Sequence, residues 1–206
     1  MEKDKIKPDQ RLIVAISGAS GAIYGIRMLQ AIRHAGVESH LIVSKAAALS
    51  LGAETDMTLA EVHALADVVH KPADIGATIA SGSFRTMGMA IAPCSIKSLS
   101  EIATGVTTSL ISRAADVCLK ERRRLVLMVR ESPLHLGHLR TMAAVTEMGA
   151  IVAPPMPAFY TRPATVDDIV NQSVARVLDL FDIGADMQRW PGLKDSGLKD
   201  SGLKND

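Results

Sequence analysis

Residues 11–25 run from an apolar segment into a glycine-rich turn and then into a helix-forming segment, with the spacing Gly18-x-x-Gly21-x-x-x-Gly25. Glycine permits a tight turn and a close approach of the backbone to a ligand, and free N–H groups at a helix start favour an anion. The pattern therefore predicts a turn that binds a phosphorylated molecule. It is neither the G-x-G-x-x-G fingerprint nor a P-loop, so a simple tight connection between strand and helix stays open as an alternative.

The end of the next predicted strand, at residues 38–44, narrows the class of ligand. A nicotinamide-dinucleotide enzyme would place an acidic residue there, about 20 residues on, to hold the ribose hydroxyls. Here the strand ends in Ser44 and Lys45. A hydroxyl and a cation suit a phosphate or a flavin better, so the sequence favours a mononucleotide.

Two further polar clusters follow apolar segments. The Ser-Ile-Lys-Ser cluster at 95–98 begins a predicted helix and offers hydroxyls and backbone donors to an anion or a flavin edge, with an N-cap serine as the simpler alternative. Arg130 and Glu131 follow the segment 125–129, where a surface ion pair is the alternative. Cys94 is more simply a buried thiol than a nucleophile, because no suitable His–Asp pattern accompanies it.

Alternating strand and helix patterns supply the elements that would position these residues. After the strand that precedes Gly18, the pattern predicts strands at 38–44, 88–93, 125–129 and 150–153, helices at 110–120 and 135–148, and helix N-caps at Thr58 and Thr165. Repeated strand–helix units favour an α/β fold: a Rossmann-like doubly wound parallel sheet with helices on both faces, in a single domain. Its ligand site would lie beyond the carboxyl ends of the strands.

Composition excludes several function classes. Of the 206 residues, 48% are hydrophobic and only 3% aromatic, which suits an aliphatic parallel sheet. The net charge of +1 argues against general binding of nucleic acid or acidic membranes. No secretory signal and no apolar run of membrane-spanning length is present, so we expect a cytoplasmic protein. Cys94 and Cys118 lie far apart, which predicts neither a disulfide framework nor a zinc site.

The two ends of the chain differ from the rest. Residues 1–10 form a charged arm, which we expect to be flexible, and residues 191–206 contain a nearly perfect repeat of Gly-Leu-Lys-Asp-Ser. A tail of that composition cannot bury a core, so we expect disorder there and one folded domain over residues 11–190.

Several separated segments together resemble the UbiX-type flavin prenyltransferases, over residues 11–190. They are Ser17-Gly-Ala-Ser-Gly-Ala22, Ser44-Lys-Ala-Ala47, Glu54-Thr-Asp56, Ser81-Gly-Ser83, Pro93-Cys-Ser95, Arg113-Ala-Ala-Asp-Val117, Leu119-Lys-Glu-Arg122, Val129-Arg-Glu131, Pro157-Ala-Phe-Tyr160 and Arg176-Val-Leu178. Their order and joint presence make the resemblance specific. The segment 132–140 resembles the ubiquinone-pathway branch more than the partner branch of phenolic-acid decarboxylases.

The resemblance implies an enzyme that joins the dimethylallyl group of dimethylallyl monophosphate to N5 and C6 of reduced FMN. The product, prenylated FMN, would serve a UbiD-type decarboxylase in ubiquinone biosynthesis or aromatic acid decarboxylation. Family members usually form homododecamers with sites shared between subunits. The residues implied to bind FMN are Gly18, Ala19, Ser20, Ser44, Ser95, Ile96, Lys97, Ser98 and Arg130. Those implied to bind the prenyl phosphate are Lys120, Arg130, Tyr160 and Arg176. Those implied to be catalytic are Glu131, Ser20, Glu54 and Lys120, with Glu131 exchanging a proton at the leaving phosphate.

The chemistry of these residue types agrees with that role. A departing phosphate needs positive charge and a proton aimed at its oxygens, which arginine, lysine, tyrosine and a carboxylic acid can supply. No metal is then required, and the chain lacks the aspartate-rich motifs of magnesium-dependent prenyl transfer. Periodicity alone places Arg176 on the solvent face of the last helix, so its role rests on the resemblance. Two alternatives stay open, an FMN-dependent aromatic-acid decarboxylase and a non-catalytic FMN carrier subunit.

Overall fold

Six parallel strands form the centre of the protein, in a computed structural model that describes residues 10–185, 187–190 and 192. The strands are β1 (Arg11–Ile16), β2 (Glu38–Val43), β3 (Val68–His70), β4 (Gly88–Cys94), β5 (Arg124–Val129) and β6 (Ile151–Val152). The helices are α1 (Ala22–His34), α2 (Lys45–Glu54), α3 (Leu59–His63), α4 (Ile96–Thr104), α5 (Leu110–Lys120), α6 (Leu136–Glu147) and α7 (Val166–Asp179), and short 3-10 turns lie at Thr78–Ala80 and Phe159–Thr161. The strand order β3-β2-β1-β4-β5-β6 confirms the predicted Rossmann-like, doubly wound sheet.

The central strands form because they are apolar on both faces. All seven residues of β4 are buried, and so are the last five residues of β1 and of β5. Strands of this kind fit the middle of a parallel sheet that helices cover on both sides. The predicted strands at 38–44, 88–93, 125–129 and 150–153 are confirmed to within one residue at each end.

The helices divide between the two faces of the sheet. Leu12, Val14 and Ile16 of β1 pack with α1, α2, α3 and α7. Ile13 and Ala15, which point to the opposite face, pack with α4, α5 and α6. Because helices cover both faces, a ligand reaches the sheet at the ends of its strands.

Several elements differ from the sequence prediction, which does not include helix α2. The pattern does not predict β3, which has three residues, none of them fully buried, and so lacks a continuous apolar run. Helix α6 begins at Leu136 rather than at 135, because His135 is its N-cap and accepts a hydrogen bond from the Gly137 N–H at 3.0 Å.

The predicted arm at 1–10 and tail at 191–206 lie outside the described residues, apart from Gln10 and Gly192. The domain bounds at 11 and 190 therefore stay predictions. Within the described ranges, no helix has the length and apolar character needed to cross a membrane.

Candidate active site

The strand order reverses between β1 and β4, and Ser17 joins the carboxyl ends of these two strands. Its side chain is buried, donates a hydrogen bond to the Pro93 carbonyl at 2.9 Å and accepts one from the Ser95 N–H at 2.8 Å. The turn at 18–21 and the start of α4 are therefore held side by side. In doubly wound sheets, the crevice at this reversal is the usual ligand site.

The turn at 18–21 packs closely against α2. A Cβ on Gly18 would lie 2.5 Å from the Cβ of Ala46, and Gly21 has a φ of +103°, so both positions require glycine. The N-cap of α2 is Ser44, whose hydroxyl accepts a hydrogen bond from the Ala47 N–H at 3.0 Å. Two of the predicted FMN ligands, Gly18 and Ser44, thus lie where the turn meets the start of α2.

Glu54 occupies the helix start that the sequence presents as an open anion site. Its Oε2 atom accepts hydrogen bonds from the Gly21 N–H at 2.7 Å and from the Ala22 N–H at 3.2 Å. Partial burial raises the pKa of Glu54, but hydrogen bonds from Gly21, Ser20 and Ala22 outweigh that effect, so the pKa lies below its usual value. The anion at the start of α1 is therefore the carboxylate of Glu54, from the end of α2. Patterns between neighbouring residues cannot reveal this contact, because Glu54 lies 33 positions after Gly21.

The cluster at 95–98 forms the N-terminus of α4. The Ser95 hydroxyl accepts a hydrogen bond from the Ser98 N–H at 3.3 Å and contacts the Ser98 hydroxyl at 3.2 Å, and both serines are buried. The N-cap alternative for Ser95 is thus confirmed. Lys97 is exposed and reaches along α4 to Glu101, at 3.4 Å.

Arg130 and Glu131 leave the carboxyl end of β5 and line an open cavity of about 610 Å³ with Tyr24 and residues 154–156. The Arg130 side chain also lies against the Gly21 turn. Glu131 accepts a hydrogen bond from the Ser132 N–H at 3.0 Å, and in the described part of the chain no ion pair joins Glu131 to Arg130. Arg130 and Glu131 therefore do not form the surface ion pair that the sequence left open as an alternative.

Tyr160 and Arg176 line a second cavity of about 260 Å³, although they come from different elements. Residues 154–156 line this cavity as well as the first, so the two cavities are adjacent. Arg176 lies on the exposed face of α7 and pairs with Asp179 at 3.1 Å. The exposed position of Arg176 agrees with the periodicity of the last helix. Its place in the same cavity as Tyr160 agrees with the shared phosphate site that the resemblance implies.

Lys120 lies at the opposite edge of the sheet. It ends α5, just before β5 begins, and its ammonium group pairs with Glu121. Arg130 and Glu131 follow the other end of β5, and six residues of strand span about 20 Å. A single chain therefore does not bring Lys120 to the cavities that Arg130 and Arg176 line.

Other cavity residues carry little signal in the sequence. Tyr24 lies one helical turn after the glycines, and burial raises its pKa while Arg130 opposes that shift. Residues 154–156 form a Pro-Pro-Met run with no chemistry of its own. Cys94 is fully buried, and burial raises the pKa of its thiol to about 12, so it is the inert thiol predicted from the sequence.

Comparison with known proteins assigns this arrangement to a family. The model of the Flavoprotein family matches residues 1–178. The flavin prenyltransferase UbiX of Thauera aromatica is 58% identical over 183 residues, which is 88% of this chain and 94% of that protein. The chain belongs to the UbiX branch of the Flavoprotein family.

Solved structures of the family share the fold closely. The crystal structure of AnUbiX (PadA1) in complex with FMN and dimethylallyl pyrophosphate is 50% identical, with a TM-score of 0.88 over 89% of this chain and 98% of that one. The dodecameric FMN-dependent UbiX-like decarboxylase from Escherichia coli O157:H7 is 52% identical, with a TM-score of 0.86 over 88% of this chain and 100% of that one. The family assignment and the fold thus agree.

Proposed function

We propose that this protein is a flavin prenyltransferase that transfers a dimethylallyl group from dimethylallyl monophosphate to N5 and C6 of reduced FMN. The observation that carries the proposal is the pair of adjacent cavities, one beside the Gly21 turn and one lined by Tyr160 and Arg176. A flavin and a prenyl phosphate would need such neighbouring sites. Support comes from UbiX relatives over most of the chain and from the relative crystallised with FMN and dimethylallyl pyrophosphate.

The residues at the strand reversal fit FMN. The turn at 18–21 and Arg130 are solvent-accessible, and the hydroxyls of Ser44, Ser95 and Ser98 lie at the same edge of the sheet. The adjoining cavity of about 610 Å³ has a volume usual for ligand sites. Gly18, Ala19, Ser20, Ser44, residues 95–98 and Arg130 would hold FMN, which supplies the nucleophilic N5 and C6 atoms when bound and reduced.

The second cavity and the end of β5 fit the leaving phosphate. Arg130 and Arg176 would bind its oxygens through charge-assisted hydrogen bonds, and the Tyr160 hydroxyl, which donates to the Gln188 carbonyl at 3.2 Å in the structure, would turn to the phosphate as a neutral donor. Glu131, which is free of an ion pair with Arg130, would exchange a proton with the departing phosphate. Glu54 would hold the glycine turn, and with it the flavin side of the site, in place.

Lys120 joins this site only if a second subunit supplies it. The dodecameric relative supports an assembly of several copies of this chain. In such an assembly, Lys120 of one subunit can reach the site of another, although it lies at the opposite edge of its own sheet. Mixing tests this: Lys120→Ala and Glu131→Gln proteins, each strongly impaired alone, regain turnover when they are dissociated and reassembled together. If mixed oligomers form without regaining turnover, Lys120 is not shared in this way.

We further propose that prenylated FMN passes to a UbiD-type decarboxylase, in ubiquinone biosynthesis or aromatic acid decarboxylation, and that the protein acts in the cytoplasm. The similarity to UbiX proteins supports the transfer of prenylated FMN to such a decarboxylase. The transfer is tested by measuring whether a UbiD-type decarboxylase becomes active only when it receives the product released by this protein.

The central experiment is anaerobic incubation with reduced FMN and either dimethylallyl monophosphate or dimethylallyl pyrophosphate, followed by mass spectrometry of the released flavin. We expect the flavin to gain one dimethylallyl group, and the two arms establish which phosphate is used. A flavin of unchanged mass, with carbon dioxide released from an aromatic acid, would instead establish a decarboxylase. Bound FMN with neither reaction would establish a carrier.

A further inference from the structure

Residues 187–190, which we name the C-terminal strap, lie across the exposed face of α7 beside the smaller cavity. The Gln188 N–H donates a hydrogen bond to the Gln172 side-chain oxygen at 3.2 Å, and the Gln172 amide donates one back to the Gln188 carbonyl at 2.9 Å. The Tyr160 hydroxyl donates to the same carbonyl at 3.2 Å, and the Tyr160 and Trp190 rings meet edge to face at 5.5 Å. The strap is therefore tied directly to two residues that line the cavity.

The strap also brings a second arginine to the carboxylate that Arg176 uses. Arg176 Nη1 lies 3.1 Å from Asp179 Oδ2. Arg189 Nη1 lies 3.4 Å from the same oxygen, and Arg189 Nη2 contacts the other oxygen, Oδ1. The hydrogen bond from Arg189 is the largest cause of the lowered pKa of Asp179, ahead of the charge of Arg176. Asp179 is thus bound mainly by Arg189.

This sharing decides how many donors of Arg176 are available. A carboxylate with both oxygens open can accept two parallel hydrogen bonds from one guanidinium group. Because Arg189 covers both oxygens of Asp179, Arg176 has a single contact with it, through Nη1. Within the described ranges, Nε and Nη2 of Arg176 have no acceptor. The positive charge of Arg189 also balances the negative charge of Asp179, which would otherwise repel a phosphate bound at Arg176.

We propose that Arg189 is a positioning residue for the prenyl phosphate: by holding Asp179, it keeps Arg176 available to the phosphate of an alkyl phosphate in the smaller cavity. The inference rests on the proposed function and deepens it, because it concerns the same phosphate. Arg189 acts through Arg176, and so its loss changes substrate affinity rather than the chemical step.

Binding of dimethylallyl monophosphate to the full-length, FMN-loaded protein, measured by titration calorimetry, tests this. Arg189→Gln raises the Kd about threefold to fivefold, the range of one exposed ion pair. It leaves the Kd of FMN and the single-turnover rate at saturating substrate unchanged. Adding Asp179→Asn restores the wild-type Kd, because no carboxylate then competes for Arg176. Arg189→Lys keeps most of the affinity, since it retains the charge beside Asp179.

The matched control is Arg124→Gln, which removes an exposed arginine that pairs with Asp182 at 3.4 Å at the other edge of the sheet. Its Kd for dimethylallyl monophosphate stays at the wild-type value. An unchanged or lower Kd in Arg189→Gln overturns the inference, and so does a failure of Asp179→Asn to restore binding in the double variant. A wild-type protein that binds FMN but no dimethylallyl monophosphate overturns the proposed function as well.

Discussion

The two edges of the sheet both carry arginines and an open cavity, but they use their charges differently. At the amino edge, a cavity of about 560 Å³ is lined by Arg122, Arg123 and Arg124. Arg123 there donates to the backbone carbonyls of Phe84 and Gly82, at 2.7 and 2.6 Å, and Arg124 pairs with Asp182. At the carboxyl edge, Arg130 and Glu131 face a cavity of similar size without pairing with each other.

Cavity volume and positive charge therefore do not identify the site. Arg123 binds backbone carbonyls and so holds the loop before β4 in place, whereas the carboxyl-edge residues project beyond the strands at the point where the strand order reverses. A ligand can replace water around the second set at little cost, but it would have to break internal contacts of the first. Matched substitutions at the two edges test this difference.

The largest expected effect is that of Glu131→Gln. The amide keeps the shape of the side chain but cannot exchange a proton, so the single-turnover rate of prenyl transfer falls about 100-fold or more. Affinity for FMN, measured by fluorescence titration, stays at the wild-type value. Glu147→Gln, at the amino-edge end of α6, keeps the wild-type rate. Equal rates in both variants would make Glu131 a structural residue and remove the contrast between the edges.

Arg176→Ala should weaken dimethylallyl monophosphate binding about 10- to 150-fold, because it removes a charge-assisted contact worth about 1.5–3 kcal/mol. Arg176→Lys recovers only part of the affinity, since a point charge does not reproduce the planar fork of arginine. Calorimetry measures both, with FMN affinity as the internal reference. Arg124→Ala at the amino edge is the control. If it weakens the substrate as much as Arg176→Ala does, the phosphate does not bind where we propose.

Gly25→Ala extends the comparison to the stability of the fold. A Cβ at Gly25 would lie 2.5 Å from the Ala92 carbonyl oxygen and 2.6 Å from Ile16 Cγ1, where α1 packs on the reversal point of the sheet. Overpacking of this kind costs about 1–3 kcal/mol in the free energy of unfolding, measured by urea denaturation. Gly52→Ala, in α2, meets nothing within 4 Å and should stabilise by about 0.5–1 kcal/mol. Similar changes in both variants would contradict the close packing at Gly25.

The smallest effect concerns Glu54→Gln and depends on pH. The folded-state pKa of Glu54 lies below the usual value of 4.5, so its stabilisation is complete above that pH and is lost as the pH falls through the folded-state pKa. At pH 7 we expect a loss of about 0.5–1 kcal/mol, limited by the exposure of the side chain. Urea denaturation at several pH values measures it. A difference between wild type and variant that does not shrink at acid pH would show that the carboxylate charge at the start of α1 is unimportant.

Much of the fold follows from interactions that the sequence displays within a few residues. Thr58, Ser95 and Thr165 each accept a hydrogen bond from the backbone N–H three residues on, which is why their N-cap roles can be predicted. The apolar runs of β1, β4 and β5 are buried because no polar group interrupts them. The short β3 escapes prediction because it lacks such a run.

The candidate site is predicted less completely, because its residues meet across long stretches of chain. The strand-end positions of Arg130, Glu131 and Ser44 follow from the strand pattern, and their chemistry follows from residue type. The capping of α1 by Glu54 joins residues 33 positions apart, and the contact of Arg189 with Asp179 depends on the path of the chain after α7.

The sequence by itself therefore determined five of the six strands, the helix starts at Thr58, Ser95 and Thr165, the class of fold and, through its family resemblance, the identity of the candidate residues. Only the tertiary structure decided that Tyr160 and Arg176 share a cavity and that Glu54 binds the first amides of α1. The physical reason is range. Hydrophobic periodicity and helix capping act within about one or two turns, whereas the meeting of distant side chains depends on how the helices pack on the sheet.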